Sequence, residues 1–580
     1  MRAAVLLTVL VALGAGAPVY AQSEDAPADE RPSEEGDDPV TPGRTNDESE
    51  TGGQDQDTAR QDDESAREAE MFGEEESEDD SDESSREAEM FGEEESEEDD
   101  DDSAREAEMF GGDDESSREE DMFGEEESKE DDDDSDDTGV SVEDFEERLA
   151  EREESTFDIG GGLFSQMQSS VPDGAEFDDV SYSWPNILDL YVDGRPNDRI
   201  RVFAQGRLTH NPTLGASQFG DFVDEEPQTT TVALDQLYLK FDIARKVYVT
   251  AGRQGVRWGV GRFWFPNDIL RDQRRDPLAI FDNRTGVDLL RFHIPVEKLG
   301  WNFYAVANYG GADSLEDVGG AVRGEFVFGN TEVGVAGAAR KDQPYRVSAD
   351  ISTGFWLVDL RAGVTLSHRV EQPFFRGDTN LEEFDELNLS NVGDLELPEP
   401  YSREDDWIPQ AVAGFEFSIP YGDDDTLLLG AEYFFNDFGY ERTDYYPWLI
   451  LNGTFRPLYV GRHYAGVFAA LPAPGQLDDH SFTLSTLGNI SDHSFLTRFD
   501  YSVTLLTHLR GFLFASVTYG NEGELRQGLQ LPGISQDLID AGAASGQFEL
   551  PDGLPEEGGF PGVDVPPTRF SIGLGASLDF

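Results

Sequence analysis

From residue 157 onward the chain breaks into runs of about ten residues in which apolar and polar side chains alternate, as in a strand with one dry and one wet face. Leu237, Leu239, Phe241 and Ile243 oppose Gln236, Tyr238, Lys240 and Asp242, and Phe495, Phe499, Tyr501, Val503 and Leu505 oppose Arg498, Asp500, Ser502 and Thr504. The last run is the cleanest: Phe570, Ile572, Leu574, Ala576, Leu578 and Phe580 share one face, and Ser571, Gly573, Gly575, Ser577 and Asp579 the other. Eighteen such runs centre near residues 163, 188, 204, 236, 252, 290, 304, 324, 336, 349, 361, 413, 431, 465, 486, 500, 515 and 574. In stretches such as Thr331 to Arg340 Gly and Ala blur the alternation. Sixteen is the alternative count, because two short connections and one longer one, Pro472 to His480, are places where the count could slip by a hairpin.

Connections alternate too. With Phe580 at one end, the spans 169–183, 210–230, 259–284, 310–318, 341–344, 368–407, 437–458, 491–494 and 520–566 fall at the opposite end, and most are long. Those at the near end, such as Asp242 to Lys246, Gly329 to Asn330, Gly354 to Phe355 and Thr507 to Arg510, are tight. Beyond the first residues no stretch approaches the roughly 18 consecutive apolar residues of a membrane helix. Any membrane span must then be β, and only a closed barrel satisfies every backbone donor and acceptor in hydrocarbon. The expected fold is an all-β transmembrane antiparallel barrel over 157–580.

Arg2, an apolar run from Ala3 to Leu13 and a small-residue site at Val19-Tyr20-Ala21 read as a secretory leader over 1–21. The chain has no Cys, so no disulfide framework is expected. Residues 1–150 hold 59 Asp plus Glu against 10 Lys plus Arg. The span 22–140 is nearly free of β-branched and aromatic residues, so it cannot bury enough apolar area to offset the entropy of ordering and is expected to be a disordered acidic tail. The negative sign argues against nucleic-acid binding.

Four copies of Arg-Glu-x-acid-Met-Phe-Gly interrupt that tail and place Met71-Phe72, Met90-Phe91, Met109-Phe110 and Met122-Phe123 at spacings of 19, 19 and 13 residues. Each is too short for a solenoid unit. Helix punctuation, such as Ser84 with Glu87 and the stop at Gly92, suits one-turn helices that form on a periplasmic partner. Repeat expansion in a solvating tail is the other reading, and calcium buffering a third, although the Asp runs lack the spacing of a formed calcium loop. A short helix or linker follows over 141–156, with Val142, Phe145 and Leu149 on one stripe.

The densest motif lies between the fifth and sixth runs: Gly252-Arg253-Gln254, Trp258-Gly259, Phe265-Pro266-Asn267-Asp268 and Asp276-Pro277. From Arg253 to Arg291 there are eight Arg against five Asp, with no Lys or Glu, in a chain of net charge −82. We expect the connection 259–284 to fold inward and set a constriction, with Arg253, Arg257, Arg262, Arg271, Arg274, Arg275, Asp268 and Asp272 lining it. Arg199, Arg201 and Arg207 oppose Ile200, Val202, Ala204 and Leu208 and are expected to face the same lumen. The competing reading is that these charges pair into networks that only hold the connection in shape. Aromatics at run ends (Trp184, Tyr248, Trp258, Trp301, Trp356, Tyr464, Tyr519) suit interfacial girdles.

A chain that stops on Phe580 after such a strand resembles bacterial outer-membrane β-barrels, in which a terminal aromatic is part of the signal for the barrel assembly machinery. The Gly-Arg-Gln…Trp-Gly segment, over about forty residues, resembles porin-like families of that class. The resemblance implies an outer-membrane channel passing small solutes, with a periplasmic tail and lipid around the barrel. The alternative is a barrel that chiefly anchors the repeat tail. No enzyme is expected: the seven His are scattered, and neither a His-Glu-x-x-His nor a Gly-x-Ser-x-Gly pattern occurs. No cofactor or metal is expected.

Overall fold

The computed structural model describes residues 156–174, 180–214, 229–271, 273–282, 284–422, 425–545 and 559–580. The leader, the acidic tail with its four repeats, the 141–156 helix apart from Thr156, and Asp272 lie outside the described residues.

Among the described residues, eighteen barrel strands, with the three-residue strand Ser181–Ser183 beside the first of them, form one antiparallel sheet that closes on itself. They are β1 (Phe157–Pro172), β2 (Asn186–Asn197), β3 (Ile200–His210), β4 (Thr230–Ile243), β5 (Val247–Gln254) and β6 (Val287–Val296). Then come β7 (Trp301–Asn308), β8 (Gly319–Phe328), β9 (Thr331–Ala339), β10 (Tyr345–Phe355), β11 (Val358–His368) and β12 (Trp407–Tyr421). The rest are β13 (Asp425–Asn436), β14 (His463–Pro472), β15 (His480–Asn489), β16 (Ser494–Leu506), β17 (Leu509–Gly520) and β18 (Thr568–Asp579). Each expected centre falls in one of these strands.

Closure is made by β1, which pairs with β2 on one side and β18 on the other. At the seam Gly161 N–H donates to the Phe580 carbonyl at 2.7 Å and Phe580 N–H donates back to Gly161 at 2.9 Å. Among the described residues the barrel sheet therefore has no unpaired edge, which removes the usual aggregation hazard of an edge strand. All turns at the Phe580 end are short, whereas the opposite end carries 255–286, 369–406, 437–462 and 521–567.

Outward positions are apolar and exposed: Val202 and Leu208 on β3, Val347 and Ile351 on β10, Phe415, Phe417 and Ile419 on β12, and Phe570, Ile572, Leu574 and Leu578 on β18. An apolar surface this continuous is not left facing water, so the barrel spans a membrane. One strand changes face midway. The β3–β4 register shifts at Gln205/Gly206, leaving Asp235 as an extra residue, so that Val232 and Leu234 before it and Leu237 and Leu239 after it all point outward.

The aromatic girdle needs correcting. Trp356 is 89% exposed on the outside, but Trp258 is only 5% exposed and Tyr464 0%, because both turn inward and pack against other aromatics or apolar wall residues. Trp184 and Tyr519 remain exposed.

The long connections were expected only as loops. Three of them instead build a cap with its own core: Leu381, Leu387 and Leu395 from 369–406, Tyr445, Tyr446, Trp448 and Leu449 from 437–462, and Leu531, Ile534, Leu538 and Ile539 from 521–567. Glu386–Leu387 pairs in parallel with Gly533–Ile534 across two connections. Helix α1 (Tyr446–Leu451) supplies Tyr446, Trp448 and Leu449 to this core, and α2 (Gln536–Ser545) supplies Leu538 and Ile539.

Candidate functional site

Segment 255–286, joining β5 to β6, turns into the barrel and is held by three apolar anchors about a third of the circumference apart. Val256, Trp258, Ile269 and Leu270 pack on Leu289, Val306, Ala321 and Ala336 of β6 to β9. Phe263 and Trp264 pack on Val412, Leu428, Phe434, Tyr464, Phe468 and Leu487 of β12 to β15. Ile280 and Phe281 pack on Phe164, Ile187 and Phe512 of β1, β2 and β17. At roughly 25 cal/mol per Å² of apolar surface, each large buried aromatic contributes several kcal/mol to holding the segment in place.

Polar contacts fix its depth. The Glu432 carboxyl group on β13 accepts from three consecutive backbone N–H groups, Arg262 at 2.6 Å, Phe263 at 3.0 Å and Trp264 at 2.9 Å. Asn267 Nδ2 donates to the carbonyls of Ala349 (3.0 Å) and Val364 (3.3 Å), and Thr365 Oγ1 donates to Pro266 O at 2.9 Å. Arg498 Nη1 donates to Leu278 O at 2.6 Å from β16.

Inward glycines make room for these contacts. A Cβ on Gly363 would lie 2.3 Å from Asn267 Oδ1, and one on Gly466 would lie 2.6 Å from Phe263 Cδ2. The small inward residues that blur the alternation in β9, Ala336 among them, have the same cause: that face meets the segment.

The arginines are largely paired. Arg253 clamps Asp288 with two bonds of 3.1 and 2.7 Å. Arg262 donates to Glu416 at 3.0 Å and stacks 3.6 Å over the Phe468 ring. Arg257 lies over Phe265 at 4.3 Å, and Arg274 over Tyr459 at 5.3 Å. Arg284 bridges Asp282 at 2.7 Å and Asp268 at 3.5 Å. Burial pushes the Asp268 carboxyl up, opposed by Arg271, Arg284, Arg274 and Arg257. Burial lowers Arg271 in turn, opposed by Asp268. Arg275 is half-buried, and Asp272 is outside the described residues.

On the wall, Arg201 bonds Asp193 at 3.0 Å, and Arg207 bonds Asp189 at 2.9 Å and Asp235 at 3.0 Å. Arg207 also reaches the segment, donating to Asp282 O at 3.4 Å. Arg199 is not brought to this group. It sits in the short turn at the far end of β3 and pairs with Asp242 at 2.7 Å, because the turn points it along the rim. Sequence reasoning missed Glu416, Glu432, Gly363 and Gly466. The available signal was a single carboxylate at an inward position of an otherwise apolar strand, in Leu427-Leu428-Leu429-Gly430-Ala431-Glu432.

No family model and no curated protein matches the sequence. Among solved structures the chain is similar to OccAB4 of Acinetobacter baumannii, with 6% identity over 73% of this chain and 98% of that one, at a TM-score of 0.42. It is similar to a BenF-like porin from Pseudomonas fluorescens Pf-5, at 10% identity, 73% and 98% coverage and a TM-score of 0.41. A further similar structure is the outer membrane protein opdK of Pseudomonas aeruginosa, at 10% identity, 73% and 99% coverage and a TM-score of 0.38.

Proposed function

We propose that the chain is an outer-membrane, porin-like channel for passive diffusion of small hydrophilic solutes, with segment 255–286 narrowing its bore. The observation that carries this is one polar, arginine-rich segment anchored on three sides inside an apolar-belted barrel. Long connections at one end and short turns at the other suit an outside and a periplasmic side, and in this reading the 22–140 tail belongs to the periplasmic side. Phe580 at the seam is then available to the assembly machinery.

The bore favours anions in this reading. Segment 255–286 carries Arg257, Arg262, Arg271, Arg274, Arg275 and Arg284 against Asp268, Asp272, Asp276 and Asp282. The cap pulls the other way, since 369–406 alone holds twelve acidic residues against three Arg. Exposed charges are screened over a Debye length of about 8 Å at physiological salt, whereas partly buried arginines in the bore are screened less. The local excess should therefore set selectivity.

Reversal potentials in planar bilayers under a salt gradient test this. Anion preference is expected, reduced in Arg271→Ala and Arg274→Ala. Cation preference, unchanged in both variants, would overturn it. The anchoring role remains the second reading, supported by the Met-Phe repeats. Removing 22–140 with no envelope defect and unchanged current supports the channel, while loss of a bound envelope protein supports the tether.

A further inference from the structure

Two carboxyl groups from different connections are buried together where the cap meets the barrel rim. Asp492 lies in the tight turn 490–493 and Glu524 in 521–567, and both are under a tenth exposed. Asn489 Nδ2 donates to both, at 2.9 Å to Asp492 Oδ2 and 2.9 Å to Glu524 Oε2. Tyr446 of α1 donates its hydroxyl to Asp492 Oδ2 at 2.9 Å, and Tyr464 of β14 donates to Glu524 Oε2 at 2.6 Å. Glu524 N–H donates to Asp492 Oδ2 at 2.8 Å, and Ser494 donates to Asp492 Oδ1 through N–H at 2.8 Å and Oγ at 2.6 Å. Val460 N–H reaches Glu524 Oε1 at 3.5 Å. The bonded groups are hydroxyls, one amide and backbone N–H, which satisfy the oxygens without neutralising two charges.

The same connection that supplies Tyr446 also holds the bore segment. Trp264 Nε1 donates to Leu458 O at 3.2 Å, and the Tyr459 ring packs edge-on against Phe434 at 5.4 Å and under Arg274. Cap, carboxyl pair and bore segment are thus physically continuous.

We propose that Asp492 and Glu524 form a proton-operated latch: one proton on the pair locks the cap to the rim, and its loss to solvent leaves two repelling carboxylates that loosen the cap and its hold on Trp264. Burial, the largest cause, and the Asp492 charge push the Glu524 carboxyl up to about 8, against the downward pull of the Tyr464 hydroxyl. Burial also raises the Tyr446 hydroxyl, which therefore stays a donor. With the cap lifted, Glu524 returns toward its ordinary value of 4.5. The closed state then holds a proton that the open state lacks between those values. The equilibrium constant for opening should rise roughly tenfold per pH unit from about 5 to 8 and level off above.

Hydrogen exchange of the full chain in detergent, read as protection factors for α1 amides between pH 5 and 9, tests the latch. Protection should fall about tenfold per pH unit up to about 8 in the native chain and stay flat in Glu524→Gln, whose amide oxygen still accepts from Tyr464 and Asn489 but whose side chain cannot ionise. A flat profile in the native chain overturns the latch by itself, as does an unchanged slope in Glu524→Gln. The same pH series in planar bilayers reads the hold on Trp264, and this arm alone rests on the channel reading. Current should grow with pH in the native chain only. Falling protection with a pH-independent current would overturn the coupling to the bore, and falling protection with no current at any pH would sink the channel reading and leave the latch standing.

Discussion

Replacing Glu432 by Ala is expected to raise single-channel conductance several-fold while the barrel stays folded. The carboxyl group accepts three backbone N–H groups of the Arg262–Trp264 turn, and its residue is 6% exposed. Each buried donor left without a partner costs about 1–3 kcal/mol. Three together rival the several kcal/mol with which Phe263 and Trp264 hold that anchor, so water follows the turn away from β13. The wall survives because its stability lies in the strand ladder. Glu432→Gln should be intermediate: Oε1 serves Phe263 and Trp264 and Oε2 serves Arg262, so a single amide oxygen loses only part of the set. Conductance and heat-modifiable gel mobility, measured on the same preparations, separate a freed segment from an unfolded barrel. Equal conductance in Glu432→Ala and the native chain would count against the anchor.

Gly363→Val should displace the segment two strands away, on β11. Its Cβ would sit 2.3 Å from Asn267 Oδ1, a collision that cannot be relieved while Asn267 keeps its bonds to Ala349 and Val364. Overpacking of this kind costs about 1–3 kcal/mol before those hydrogen bonds are counted. The expected result is a change in conductance with normal assembly. Gly320→Ala serves as control, because nothing lies within 4 Å of a Cβ there. Matching behaviour of the two variants would mean that the segment does not rest on β11.

Strand number and sidedness were legible because they are written in local alternation. Leu237, Leu239 and Phe241 face lipid whatever lies inside the barrel. The arginine excess between Arg253 and Arg291 was likewise visible as composition. What anchors the segment was not, because the partners lie far along the chain: Glu432 meets Trp264 across 168 residues. Gly363 and Gly466 look in sequence like any strand glycine, and only the side chain lying over each gives it meaning. Asp235 hid a face change, since a bulge leaves no mark in a short window. Trp258 and Tyr464 sat at run ends like girdle residues, yet an inward aromatic network claimed them. The cap core escaped because its apolar residues come from three connections with no common period.

The inward segment and the bore it occupies are tested most directly by single-channel recording of the refolded chain beside a variant in which residues 258–282 are replaced by a short Gly-Ser linker. Small, discrete conductance steps in the native chain and much larger steps in the variant are the expected result. Silence from both, with each folded by gel mobility, or identical steps from the two, would contradict it.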